Sequence, residues 1–199
     1  DFPLTGNAAV TGTIGLVEPA VGSAVPPGAS FDQLLQAYLE SAGVANTPDV
    51  YVQGEAYQAY TVQNAGERSL DVGVAATVNP YATVGLYVGS GSNVANPIVP
   101  TYFTAYQAAF WDTTNNPSVI SSSWYEGMSS TPGSPFYDAY RQVMVDAALR
   151  NISLFIASDD GGSGASLQNG LANLEYANTS PYAVLVGGTS LTIQDLAVE

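Results

Sequence analysis

The chain has 199 residues, enough for one domain or part of a larger one, with 46% apolar residues and a formal net charge of −14. Three bases against 17 acids argue against nucleic acid and anionic membranes as partners. With no Cys and no His, disulfides, thiol chemistry, imidazole bases and His-based metal sites are excluded within the chain.

Any general base here is therefore a carboxylate or a tyrosine. The bases are Arg68, Arg141 and Arg150. Plentiful Tyr, Val, Leu and Ile set the chain apart from a disordered acidic tail. No apolar stretch reaches the ~18 residues of a membrane span. No charged-then-apolar leader opens the sequence, so any signal peptide or pro-segment is expected to be removed already or never present. At about pH 3–4 many carboxylates are protonated and the self-repulsion falls, so an acidic, extracytoplasmic setting suits the chain. Sequons stand at Asn151 and Asn178.

In chain order, Thr11 to Val17 is a β-prone apolar run ending at Glu18-Pro19. Ser30 reads as a helix N-cap with Gln33 as its capping-box partner; Phe31, Leu34, Leu35, Tyr38 and Leu39 form the apolar stripe, and Gly43 closes it. Asp49 to Gln53 reads as a strand. Residues 66–80 read as a helix with an acid in its first turn and Pro80 past its end. Ala82 to Val88 is a buried-type strand, and Thr104 to Trp111 a helix. Ser118 to Ser122 is a short strand leading to Trp124.

Ser134 to Arg150 is the clearest helix, entered through Pro135, with apolar faces from Tyr137, Tyr140, Val143, Val145 and Leu149. Ile152 to Ala157 is a fully apolar strand followed by the loop at Asp159, Asp160 and Gly161. Tyr182 to Val186 reads as another buried strand. Apolar strands alternating with amphipathic helices imply an α/β fold, a mostly parallel sheet with helices on both faces. Sites in such sheets form where loops leave the carboxyl ends of strands. Glu18, Trp124 and Asp159-Asp160 all sit at or just past such ends.

Glu67 and Asp71 lie four residues apart on one helical face, with Cβ atoms roughly 5–6 Å apart. Like charges this close are mutually costly, and one pKa is expected to be raised. A proton-handling pair is built this way; so is a helix start whose Glu complements the dipole.

Five stretches in order carry a resemblance. GTIGLVEPAV resembles a first core strand with a terminal Glu. GERSLDVGVAATVNPYATVGLYV resembles an E-x-x-x-D helix, a small-residue-Pro break and a strand. NPSVISSSW resembles a P-x-V-I-S-x-S-W strand, ISLFIASDDGGSG a strand entering a G-D-S-G loop, and SPYAVLVGGTSL a P-x-V-x-x-V-G-G-T-x-L strand. Together they resemble the sedolisin family, acid-acting serine-carboxyl peptidases of subtilisin-like fold. The resemblance implies that residues 1–199 are the N-terminal portion of a single peptidase domain. It makes Glu67 the general base, Asp71 its orienter and Asp160 the oxyanion donor. Glu18 and Trp124 take the places of a supporting hydrogen-bond network.

A Glu base suits acid because its ordinary pKa is about 4.3, and an aspartic acid donates to an oxyanion only while protonated. Asp159 departs from the family pattern, standing where the family has Gly.

The nucleophile of the family lies in a G-T-S-x-x-x-P motif that this sequence lacks. Gly188-Thr189-Ser190 is a decoy, since Gln194 stands where Pro is required. The resemblance therefore implies a second chain carrying the nucleophilic serine, with a family Ca2+ site on that C-terminal portion and none here. The substrate is a peptide or protein, cut as by an endopeptidase or a tripeptidyl-peptidase. Without the second chain the sheet is expected to be incomplete and to expose an apolar edge and face. The alternative is a non-catalytic sedolisin-like binding or interaction domain in an acidic extracellular setting.

Overall fold

A computed structural model describes residues 11–18, 29–54, 65–89, 102–124, 133–158, 160, 170–171 and 180–189. Asp159, residues 161–164, the sequon at Asn178 and Ser190 lie outside the described residues.

Among the described residues six strands and four helices follow in the order β1 (Thr13–Glu18), α1 (Phe31–Ser41), β2 (Val50–Gly54), α2 (Ala65–Val78), β3 (Thr83–Val88), α3 (Tyr102–Phe110), β4 (Val119–Ser122), α4 (Pro135–Leu149), β5 (Ser153–Ala157) and β6 (Ala183–Val186). The strands form one sheet in the order β2-β3-β1-β4-β5-β6. Every pairing is parallel. The expected α/β class and parallel sheet are therefore present.

Side-chain alternation sorts the strands onto two cores. Leu16, Val84 and Leu86 pack under α1 and α2 with Leu35, Leu39, Val72 and Ala76. Val17, Tyr87, Ile120, Leu154 and Ile156 pack under α3 and α4 with Tyr106, Phe110, Tyr140 and Met144. Two glycines make this second face possible. A Cβ on Gly15 would collide with Ile120 and crowd Tyr87, and one on Gly85 would enter the Tyr51 ring. Tyr51 and Tyr87 share a 2.6 Å hydroxyl contact, and Tyr87 donates to Asp112 at 2.8 Å. Burial and both hydrogen-bonded neighbours push the Tyr87 pKa far up, so it stays a neutral donor.

Helix ends follow local chemistry. At α1, Gln33 N–H donates to Ser30 Oγ at 3.2 Å and Ser30 N–H donates to Gln33 Oε1 at 3.0 Å, the expected capping box. At α4, Tyr137 N–H donates to Ser134 Oγ. Its far end closes with Asn151 at φ 59° and Ile152 N–H donating to Ala147 O at 3.0 Å, a Schellman stop. A helix-stop role accounts for the asparagine of this sequon.

Two expectations need correction. Leu149 is 80% exposed rather than apolar packing; Tyr140, Val143, Met144 and Ala147 carry the buried face of α4. The strand expected to be buried at Tyr182 to Val186 is exposed, with Val184 at 52% and Val186 at 50%. It is an edge strand bonded to β5 alone, and a hydrophobic run does not reveal how many neighbours its strand has.

Candidate active site

In a parallel sheet all carboxyl ends share one edge. The order places β3 and β2 on one side of β1 and β4, β5 and β6 on the other. The chain reverses its winding direction between β1 and β4, and the crevice at such a switch point is where ligands bind in open α/β sheets.

Glu18 ends β1 at this crevice. It is paired with Val88 and fully buried. Alternation turns it, like Leu16, toward α2. That helix starts at the same edge with Glu67 in its first turn and ends before Pro80. Val72 and Ala76 bury its inner face, and Gly73 lets the Tyr38 ring of α1 approach closely. This seating brings Asp71 onto Glu18. Asp71 and Glu67 are half-buried, so the acids run from a dry floor toward solvent.

Asp71 is hydrogen-bonded to Glu18 and to Ser123. Counted as two ionised carboxylates, Glu18 and Asp71 have no proton to share, and both Glu18 oxygens then lack a donor. A protonated Glu18 resolves this by donating to Asp71. Burial, foremost, pushes the Glu18 carboxyl up to about 9; the Asp71 charge, its hydrogen bond and the Glu67 charge add to this, and Arg68 opposes it. Burial also pushes Asp71 up to about 6, helped by the Glu67 charge and opposed by hydrogen bonds from Glu18 and Ser123. The raised pKa expected of the acid pair therefore falls on Asp71, with Glu18 raised further still.

Arg68 turns inward on α2. It is 4% exposed, with its guanidinium 4.7 Å from the Phe31 ring centroid. It shares the buried face of α2 with Val72 and Ala76. Burial lowers its pKa and the Glu18 charge raises it again.

Trp124 follows β4 but packs into the core under α3, stacked on Tyr102 with centroids 5.9 Å apart. Its carbonyl accepts from Tyr106 Oη at 2.9 Å and from Ser122 Oγ at 2.7 Å. Among the described residues no hydrogen bond joins its buried indole N–H to Glu18. Asp160 lies three residues beyond the end of β5, exposed, on the same carboxyl edge.

Sequence reasoning missed Ser123. Its signal was parity: in SVISSSW the residue after Ser122 returns to the face of Ser121, toward α2. Only the fold brings it to Asp71. Chemically, the site can hold protons on two buried acids and present a third carboxylate, Glu67, toward solvent. No group of three or more His, Cys, Asp or Glu residues among those described is placed to hold a metal ion.

No protein-family model matches the chain. Kumamolisin from Bacillus sp. (strain MN-32) is 29% identical over 169 residues, covering 82% of this chain and 29% of the relative. The solved structure of Pseudomonas sedolisin, a serine-carboxyl proteinase complexed with two molecules of pseudo-iodotyrostatin, superposes with a TM-score of 0.69 at 19% identity. That match covers 92% of this chain and 50% of the sedolisin chain. The chain thus spans under a third of the curated relative and half of the solved one.

Proposed function

We propose that this relative of the sedolisin family is the carboxylate-bearing portion of an acid-acting serine-carboxyl peptidase, completed by a serine on a partner chain. One observation carries the reading: a buried acid cluster, Glu18 with Asp71, stands at the switch point of a parallel sheet one helical turn from Glu67. Residues 1–199 form the N-terminal portion of the peptidase domain. Exposed apolar side chains on β6 and along α2, namely Leu70, Val74 and Val78, support a further polypeptide as partner. Family resemblance assigns Ca2+ to that partner portion.

In this reading Glu67 takes the proton from the serine hydroxyl as its oxygen attacks the scissile carbonyl carbon. Protonated Asp160 donates to the oxygen that gains the negative charge. On collapse the C–N bond breaks, Glu67 returns the proton to the leaving amine, and an acyl-serine remains. Water then repeats the sequence, with Glu67 again as base, and releases the acid product. Asp71 orients Glu67, with Glu18 supporting Asp71 from below and Trp124 closing the end of β4. Acid suits the floor of the site, where Glu18 and Asp71 keep their protons. A secreted, acidic location follows from the same chemistry.

The test begins with the intact mass and terminal sequence of whatever co-purifies with the chain. A tightly held second polypeptide bearing G-T-S-x-x-x-P, and peptide cleavage by the pair at about pH 3–4, are expected. Product lengths then separate endopeptidase from tripeptidyl-peptidase action. A chain that purifies alone, folded and monodisperse overturns the two-chain arrangement.

A further inference from the structure

We propose that Ser123 is a positioning residue of this site, its hydroxyl fixing Asp71 from the sheet side so that Asp71 meets Glu67 in one orientation. The inference rests on the peptidase reading and adds a residue to it.

The backbone register carries the argument. β1 and β4 pair in parallel up to Val17 opposite Ser122; Glu18 is the last residue of β1 and Ser123 the first past β4, and both are hydrogen-bonded to Asp71. The two serines divide by alternation. Ser122 is buried on the α3 side, where its hydroxyl donates to Trp124 O at 2.7 Å and accepts from Trp124 N–H at 3.1 Å. This closed loop pins the end of β4. Ser123 is left on the α2 side, exposed and hydrogen-bonded to Asp71.

Asp71 is therefore bonded from two places on the sheet edge, Glu18 at the end of β1 and Ser123 just past β4. Among the described residues the charged groups around it are Glu18 from the sheet, Glu67 on its own helix, and Arg68, whose charge acts on Glu18. Ser123 is the uncharged donor in that set. Two donors from the sheet side leave the rest of the Asp71 carboxyl toward Glu67, and a hydroxyl donating to the ionised form favours ionisation.

The experiment uses the assembled protein, this chain with its serine-bearing partner. The carboxyl carbon of Asp71 is titrated by 13C NMR, its signal assigned by its loss in Asp71→Asn. In Ser123→Ala the Asp71 midpoint is expected to rise by about one pH unit, a ten-fold gain in proton affinity. kcat is expected to fall about ten-fold with KM unchanged, as when orientation in the transition state is lost. Ser123→Thr keeps the hydroxyl and is expected to restore both. An Asp71 midpoint unmoved in Ser123→Ala, or a threonine variant that behaves like alanine, overturns the proposal. A Glu67→Gln protein that still cleaves peptide overturns the peptidase reading instead, and the Asp71 titration is read independently of it.

Discussion

Glu18 and Asp71 are hydrogen-bonded to each other, the first on the last residue of a central strand and the second in the second turn of the helix laid across it. A proton held in a fold is a thermodynamic quantity, so this contact makes stability depend on pH.

The sign follows from the raised values. Unfolded Glu18 releases its proton near 4.5, whereas folded Glu18 keeps it to about 9. Its contribution to stability is complete below about 4.5 and is lost as pH rises toward 9. Asp71 acts the same way between 3.8 and about 6. Denaturant melts of the assembled protein are expected to show stability falling with pH by up to ~1.4 kcal/mol per pH unit per proton. Glu18→Gln, which keeps the shape and a donor without the titration, is expected to flatten the profile. A profile equally steep in both proteins would mean the linkage lies elsewhere.

Glu67→Gln removes the proposed base with little change in shape, and Asp71→Asn removes its orienter. Both are expected to lower kcat of the assembled enzyme by about 10²–10⁴-fold. Steady-state cleavage of a peptide at acid pH measures it, and full activity in both variants would remove catalysis from this helix face.

Asp160 is assigned a donor rather than a charge. Asp160→Ala is expected to lower kcat by about 10²–10³-fold, the scale of losing one oxyanion donor. Asp160→Asn, whose amide N–H still donates, is expected to lose much less. Equal losses in the two variants would argue for a negative charge at this position instead.

On the opposite face, Tyr87 ties β3 to Tyr51 and to the turn after α3 through Asp112. Tyr87→Phe keeps the ring but removes the hydroxyl that donates to Asp112 and contacts Tyr51, so a destabilisation of about 0.5–1.5 kcal/mol is expected with activity retained. Chemical denaturation measures the first and the peptide assay the second. A large activity loss without destabilisation would place this ladder in the catalytic path.

Much of the fold was legible in the order of residues. Ser30 with Gln33, Ser134 before Pro135 and Pro80 after Val78 fixed helix ends through local hydrogen bonds and proline sterics. The runs TIGLVE, TVGLYV and SLFIA announced central strands because a strand covered on both faces has no polar side. The spacing of Glu67 and Asp71 placed both on one helical face, since 3.6 residues make a turn.

What only the tertiary structure decided was pairing across distance. Strand order made β6 an exposed edge although its sequence reads as buried, and the seating of α2 turned Arg68 inward onto Phe31. The pairing of β1 with β4 brought their carboxyl ends together, and α2 set Asp71 against Glu18 and Ser123. The sequence by itself determined that a carboxylate or a tyrosine must do any base chemistry here, because it offers no His and no Cys. Which carboxylates keep their protons was set by burial and by neighbours some fifty residues away in the chain, and desolvation exists only once the fold has closed around them.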